Sequence, residues 1–252
     1  MSKNKPISVV IIAKNEAENL KLSLPMLSWC NEIILIDDYS TDQTAAIAQS
    51  FGAKVFQNKF DGFGAQKQFG VAKTTYDWVL NLDADEVLSE GLVEELKQLI
   101  ANEPNLAGYQ LPIRHLFLGK AFRYGRESNF LHLRFFNKTK GNFDNAKVHE
   151  KVHVSGKIGQ LKQVVLHHSY RSLEQYFSKF NHYTQIGAEK LFAAGKNRPI
   201  LFCVISFPLY FIKHYFVYRN FLNGKQGFLW SYLSAWYHVV KYIKLNTLNY
   251  KK

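Results

Sequence analysis

The chain changes hydrophobic period again and again over its first part. "ISVVII" (Ile7–Ile12), "EIILID" (Glu32–Asp37), "AKVFQ" (Ala53–Gln57) and "DWVLNLD" (Asp77–Asp83) read as strands. Each is followed by a stretch of helical period: "NEAENLKLSLPML", "STDQTAAIAQSFG", "GAQKQFGVAKTT" and "SEGLVEELKQLIANE". Strands that are apolar along their whole length need cover on both faces, so this alternation predicts an α/β fold with a parallel sheet and right-handed crossovers. From Gly108 to about Tyr170 the pattern is strand-like and irregular, with several His, Arg and Gly residues. From Ser172 onward it is helical: one long helix, then two aromatic-rich segments broken near Asn223 and Gly224.

A chain of 252 residues with 47% hydrophobic content supports one large domain, or a domain with an appendage. Its two cysteines, Cys30 and Cys203, form neither a disulfide framework nor a zinc spacing and suit a reducing compartment. The net charge of +12 is lopsided: Glu189 is the last acidic residue, and ten Lys and Arg residues follow it. Such asymmetry points to an anionic partner, membrane or nucleic acid, for the C-terminal part. No nucleic-acid-reading motif accompanies it, so a membrane is expected and nucleic acid is not. The apolar run Ile7–Ala13 is short for a signal peptide. The run Pro199–Ile212 reads as too short to span a membrane and contains Pro208.

In open parallel sheets, ligands bind beyond the carboxyl ends of the strands. Three strand ends are polar there: Lys14, Asn15 and Glu16; Asp37 and Asp38; Asp83 and Asp85. Asp83 and Asp85 can reach one small volume, and Mg²⁺ typically takes one or two carboxylates plus phosphate oxygens and water. The alternative is a solvated turn in which Asp85 or Ser89 opens the next helix. Similarly, Asp38 can accept from the N–H of a base, whereas Ser40 or Asp42 caps the helix that follows. Lys67, on a predicted helix, can meet a phosphate as a point charge or face solvent. Further along, Arg134, His149, Glu150, His167 and His168 are the polar candidates. Glu150 is a plausible general base, with a surface ion pair as the plain alternative.

Taken together, "ISVVIIAKNEAENL", "IDDYSTDQT", "WVLNLDADE", "LRFFN", "VHEKV" and "LHHSYRSLEQYFSKFNHYT" resemble the family 2 inverting glycosyltransferases. Within them they look like the bacterial lipopolysaccharide inner-core β-1,4-glucosyltransferase branch. The resemblance implies a GT-A (Rossmann-like) fold: a mostly parallel sheet flanked by helices, followed by C-terminal basic, aromatic-rich helices. It implies a catalytic domain over 1–196, with a nucleotide-binding half at about 1–105 and an acceptor and base half at about 106–196. Residues 197–252 would be an amphipathic helical segment for membrane association, the alternative being that its apolar stripe packs on the catalytic domain or on a second subunit.

The same resemblance implies roles. Ala13, Asn15 and Glu16 would border the nucleotide, and Asp38 would hold the uracil of a UDP-sugar. Lys67, Asp83 and Arg134 would lie by the donor. Asp85 would ligate Mg²⁺ or Mn²⁺ on the diphosphate, with His167 as a weaker metal or phosphate contact. Glu150 would be the base that deprotonates the acceptor. Two residues depart from the family's habit: Tyr39 stands where Gly is common, and Gln68 where Asn is common. The expected reaction moves a hexose, glucose from UDP-glucose, onto a heptose hydroxyl of the lipopolysaccharide inner core or onto another lipid-linked acceptor. It would occur at the inner face of the cytoplasmic membrane, by an enzyme peripheral to it and able to form oligomers. A nucleotidyltransferase is the competing class, but "AKNEAEN" after the first strand has no glycine for a phosphate loop.

Overall fold

The computed structural model describes residues 5–146, 150–170 and 172–250. Its elements follow the predicted alternation: β1 (Ile7–Ala13), α1 (Ala17–Ser23), β2 (Glu32–Asp37), α2 (Thr44–Ser50), β3 (Lys54–Gln57), α3 (Phe63–Ala72), β4 (Trp78–Asp83), β5 (Glu86–Leu88) and α4 (Glu90–Ala101). The irregular middle contains β6 (Gly108–Phe117), β7 (Lys120–Ala121), β8 (Phe130–Asn137), β9 (Gly141–Phe143), β10 (Val152–Val154), β11 (Ile158–Gln160) and β12 (Val165–Tyr170). Helices α5 (Leu173–Ala193), α6 (Ile200–Ile212) and α7 (Gly224–Asn249) complete the chain.

The main sheet runs β3-β2-β1-β4-β8-β6-β12-β5. Its first half is parallel: β1 pairs with β2 and β4, and β2 with β3. Its second half turns antiparallel at β4–β8 and β8–β6. Alternation along β1 explains the layering. Val9 and Ile11 point into one core with Leu20 of α1, Leu24 of the 3₁₀ turn after it, and Leu92 and Leu96 of α4. Val10 points to the other face, where it meets Val71 of α3 with Ile34, Ile36, Phe136 and Phe143. Gly70 lets α3 lie close to the sheet, since a Cβ there would sit 2.4 Å from Val10 Cγ1.

Two compact units result. One takes the chain to Ile113 together with Phe130–His168; the other takes Arg114–Asn129 and the chain from Ser169. The second does not begin at residue 197 as expected. Ala188 of α5 is buried with Cys203 of α6 and with Tyr242 and Leu245 of α7, so the long helix belongs structurally with the C-terminal pair. In the same unit Phe117, Phe122 and Tyr176 are buried against Trp230 and Tyr170. Of the α7 aromatics Tyr242 is buried and Trp230 and Tyr237 are half-buried, but Phe228, Tyr232 and Trp236 are exposed, and α6 leaves Ile200, Leu201, Val204, Leu209 and Ile212 exposed. Nor does α6 stop where the sequence suggested. It continues through a π turn, Lys213–Val217, making Ile200–Val217 an 18-residue stretch long and apolar enough, by length and composition, to cross a membrane.

Candidate active site

The carboxyl ends of β1 and β2 carry loops that are stitched to one another. Asp38 N–H donates to the Ala13 carbonyl (2.9 Å), Asn15 N–H to Ser40 Oγ (2.9 Å), Thr41 N–H to Asn15 Oδ1 (2.8 Å) and Glu16 N–H to Thr44 Oγ1 (2.8 Å). Asp42 accepts from Thr44 N–H (2.9 Å) and Ala17 N–H (3.2 Å), so it serves the first turns of two helices at once. Ser40 does not cap α2; it faces Asn15 instead. Asp37 is buried and accepts from Ser40 N–H, holding the turn. Asp38 sits at the lip, bonded to Lys14 Nζ (2.7 Å) and accepting from Phe60 N–H (3.1 Å). Burial opposes its ionisation less than Lys14 favours it, and its carboxyl is held below the usual range. Two residues of this rim, Asn15 and Tyr39, adopt left-handed backbone at φ 55° and 50°. For Tyr39 this is a conformation that glycine adopts without cost.

The acids after β4 divide by partner. Asp83 faces two cations: Lys67 Nζ lies 2.8 Å from Oδ1 and Arg134 Nη2 2.7 Å from Oδ2. Desolvation alone would raise its pKa, but Arg134 and then Lys67 outweigh it and hold the carboxyl far below the ordinary range. Glu86, in β5, is buried and meets the same guanidinium at 2.6 Å while accepting from Asp83 N–H at 2.9 Å. Burial and the charge of Asp83 push its pKa up against the pull of Arg134. Asp85 points elsewhere, with Oδ2 3.1 Å from His167 Nε2. Burial alone would lower the His167 pKa, but Asp85, then Glu86 and Asp83, raise it. The repulsion among the three acids is thus offset within the fold, by Lys67, Arg134 and His167. Glu86 is not at a helix N-terminus; Ser89 takes that place, accepting from Leu92 N–H.

Arg134, expected beside the donor, is buried in this network, with Nη1 also donating to Asn81 Oδ1 at 3.1 Å. It orients Asp83 rather than presenting a free guanidinium. Lys67 is not solvent-facing either: it is 1% exposed and its second partner is Glu150 Oε1, at 2.6 Å. The helix α3 explains how. Gly64, Lys67 and Gln68 lie at i, i+3 and i+4, hence on one face. Gly64 N–H donates to the Ala146 carbonyl (3.1 Å) and Gln68 Nε2 to the Phe143 carbonyl (2.6 Å), so that face grips the segment leading to Glu150. His149 lies outside the described residues.

A divalent cation fits one place here. Asp85 Oδ2 and His167 Nε2 converge and are both partly exposed, 18% and 23% by side chain, whereas both oxygens of Asp83 are engaged by cations. Among the described residues no group of three or more His, Cys, Asp and Glu side chains is arranged to hold a metal. A cation on this pair would draw its other ligands from phosphate oxygens and water, as Mg²⁺ usually does. One residue that positions the site, Asn81, escaped the sequence reading; Glu86 reads from the sequence as an acid that a helix N-terminus accounts for, and its pairing with Arg134 is what the sequence does not show. A polar residue inside the apolar run of β4 was the available signal for Asn81.

The model of the family described as "Glycosyl transferase family 2" matches residues 8–158. An uncharacterized glycosyltransferase of Rickettsia typhi is 31% identical over 98% of this chain and 89% of its own length. The lipopolysaccharide core biosynthesis glycosyltransferase LpsC of Rhizobium meliloti is 29% identical over 92% of this chain and 88% of its own. Among solved structures, S. aureus TarS 1-349 in complex with UDP-GlcNAc superposes with a TM-score of 0.52 at 13% identity, covering 98% of this chain and 92% of that one. That likeness speaks for the fold.

Proposed function

The chain belongs to glycosyl transferase family 2, and we propose that it moves a hexose from a UDP-sugar, UDP-glucose first, to a sugar hydroxyl of the lipopolysaccharide inner core, with inversion. The observation that carries this reading is the chain Asp83–Lys67–Glu150, which sets a carboxylate beside the acidic end of β4. The relationship to LpsC supports a role in lipopolysaccharide biosynthesis. The likeness to a protein crystallised with UDP-GlcNAc makes a uridine nucleotide the first donor to try.

In this reading the donor lies over the carboxyl ends of β1, β2 and β4. Asp38 accepts from the base, exchanging its Lys14 contact for it. Ala13, Asn15 and Glu16 border the nucleotide. Glu150 takes the proton of the acceptor hydroxyl as that oxygen bonds to the anomeric carbon. The bond from that carbon to the diphosphate oxygen breaks, and UDP departs from the opposite face. One displacement inverts the centre from α to β and requires no covalent glycosyl-enzyme. Lys67 holds Oε1 of Glu150, so the proton goes to the other oxygen. Arg134 and Glu86 keep Asp83 in place beside the sugar. Mg²⁺ or Mn²⁺ held by Asp85 and His167 would supply Lewis-acid stabilisation to the leaving diphosphate.

Basic charge beyond Glu189 and the exposed apolar side of α6 support a peripheral place on the inner face of the cytoplasmic membrane, where a lipid-anchored acceptor is found. The test is incubation with labelled UDP-glucose and Mg²⁺ or Mn²⁺, with and without truncated lipopolysaccharide. Release of UDP that depends on acceptor, with label in the acceptor, is the expected result. No transfer from any of UDP-glucose, UDP-galactose and UDP-GlcNAc would sink the reading. Transfer only to another envelope glycan would move it to a different acceptor.

A further inference from the structure

The C-terminal unit has one corner where the backbone is twice irregular. The π turn Lys213–Val217 is followed by Arg219 at φ 57° and by a 3₁₀ turn, Asn220–Asn223. π turns and left-handed non-glycine residues are costly and gather at functional sites. Here the irregularity turns five large apolar side chains outward: Ile212, Phe216, Val217, Phe221 and Leu222 are each more than two-fifths exposed, Val217 reaching 67%.

Cations stand beside them. The guanidinium carbon of Arg126 lies 5.6 Å from the centroid of the Tyr218 ring, and Lys213 Nζ lies 5.7 Å from the same centroid. Both cationic residues are exposed, and no carboxylate ion pair is recorded for either among the described residues. Burial would raise the Tyr218 pKa, but Lys213 and Arg126 together lower it, as two positive charges near one phenol must. Positive groups gathered without an acid between them are a standing repulsion that an anion relieves.

We propose that this corner is the place where the chain docks on an anionic lipid bilayer. Phe216, Val217, Phe221 and Leu222 enter the acyl boundary. Lipid phosphoryl groups sit at Lys213 and Arg126, with the Tyr218 hydroxyl donating to them. Apolar tips rimmed by aromatic and long cationic side chains are what the headgroup zone accommodates. Charge also favours lipid over a second copy of the chain. A two-fold interface through this corner would set its positive patch against its own image, whereas an anionic membrane supplies the opposite sign. The inference rests on the membrane reading above and deepens it, by naming the residues and the headgroup chemistry.

The full chain is sedimented with vesicles of phosphatidylcholine alone and of phosphatidylcholine with phosphatidylglycerol. The wild type is compared with Lys213→Ala/Arg126→Ala, with Phe216→Ser/Val217→Ser and, on α6, with Leu201→Ser/Val204→Ser. All of these residues are exposed, and far-ultraviolet circular dichroism checks that each variant is folded. Near an anionic surface each cation contributes about fivefold in affinity, so the charge pair should cost about tenfold or more on anionic vesicles and weaken the salt dependence. The Phe216/Val217 variant should lose binding to both vesicles, and the α6 variant less than either. If the wild type binds while both corner variants bind equally well, the corner is wrong and the membrane reading stands. Should the wild type bind neither vesicle, the membrane reading fails and takes the corner with it. A corner variant that changes only the sedimentation equilibrium of the free protein would make this a self-association surface, and that also overturns the proposal.

Discussion

Lys67 Nζ lies 2.6 Å from Glu150 Oε1 and 2.8 Å from Asp83 Oδ1, joining residues far apart in the chain through one buried ammonium. A cation so placed fixes the position of both carboxylates, since losing it would leave two acids facing each other in a poorly hydrated site. The carboxylate of Glu150 is thereby held in one orientation.

Glu150→Gln keeps the shape and removes the proposed base. Turnover should fall on the order of 10²–10⁴-fold, with donor affinity within a few-fold of wild type. Steady-state kinetics beside calorimetric UDP binding separates the two. Normal turnover in a folded Glu150→Gln protein would assign the base elsewhere.

Lys67→Met should cost about 3–5 kcal/mol in urea unfolding, the range for breaking a buried ion pair from one side. Combining it with Glu150→Gln should recover at least ~1 kcal/mol of the summed losses, because contacting residues do not add. Strict additivity would mean that the pair carries no coupling.

Asp85→Asn and His167→Ala test the cation. In the wild type, Mn²⁺ with UDP should raise the melting temperature, as a ligand at a hundredfold its Kd adds about 2.7 kcal/mol, and chelation should reverse this. Both variants should lose the metal-dependent part of the shift while keeping the part given by UDP alone. A variant with the full wild-type response would remove that residue from the metal set.

Glu32 carries a pH dependence unrelated to the chemistry. Its carboxylate is buried at the opposite end of the strands. It accepts from Ser8 Oγ (2.6 Å), Thr75 N–H (2.7 Å), Thr75 Oγ1 (2.8 Å) and Lys54 Nζ (2.8 Å). Burial alone would raise its pKa; Lys54, Ser8 and Thr75 outweigh burial and bring it from 4.5 to about 2. A lowered folded-state pKa stabilises the fold above the unfolded value, so the contribution is complete above pH 4.5 and lost as pH falls toward 2. Glu32→Gln should therefore cost roughly 2–3 kcal/mol at pH 7, and the difference from wild type should shrink through that acid window. An equal difference at pH 3 and pH 7 would contradict the assignment.

Gly70→Ala should destabilise by about 1–3 kcal/mol, the usual penalty for overpacking a core, because its Cβ would meet Val10 Cγ1 at 2.4 Å. Trimming the partner, Val10→Ala, in the same chain should return part of the loss. A neutral Gly70→Ala would show that α3 can slide away from the sheet, and Lys67 with it.

Local pattern was enough for much of this protein. Short β-branched apolar runs such as Ile7–Ile12 read as strands buried on both faces, and helical stretches between them point to parallel crossovers. The three polar strand ends then share one edge, so Asp38, Asp83 and Asp85 were legible as a group. What was not legible is which acid faces which cation. Lys67 reads equally as a phosphate contact or an exposed helix lysine, and its ion pairs stay hidden until Gly70 brings α3 against β1. Glu86 reads as a helix-opening acid until β8 delivers Arg134 to it. The middle strands were similarly opaque, since β6, β8 and β12 pair across long separations that no local period encodes. The same holds at the other end of the chain. Composition marked residues 197–252 as apolar, aromatic and basic, but only packing decided that α7 buries Tyr242 and half-buries Trp230 and Tyr237, while Phe228, Tyr232 and Trp236 and the aliphatic side of α6 stay outside. Periodicity is a property of neighbours along the chain. Ion-pair partners and buried faces depend on distances between segments, and those exist only once the chain has folded.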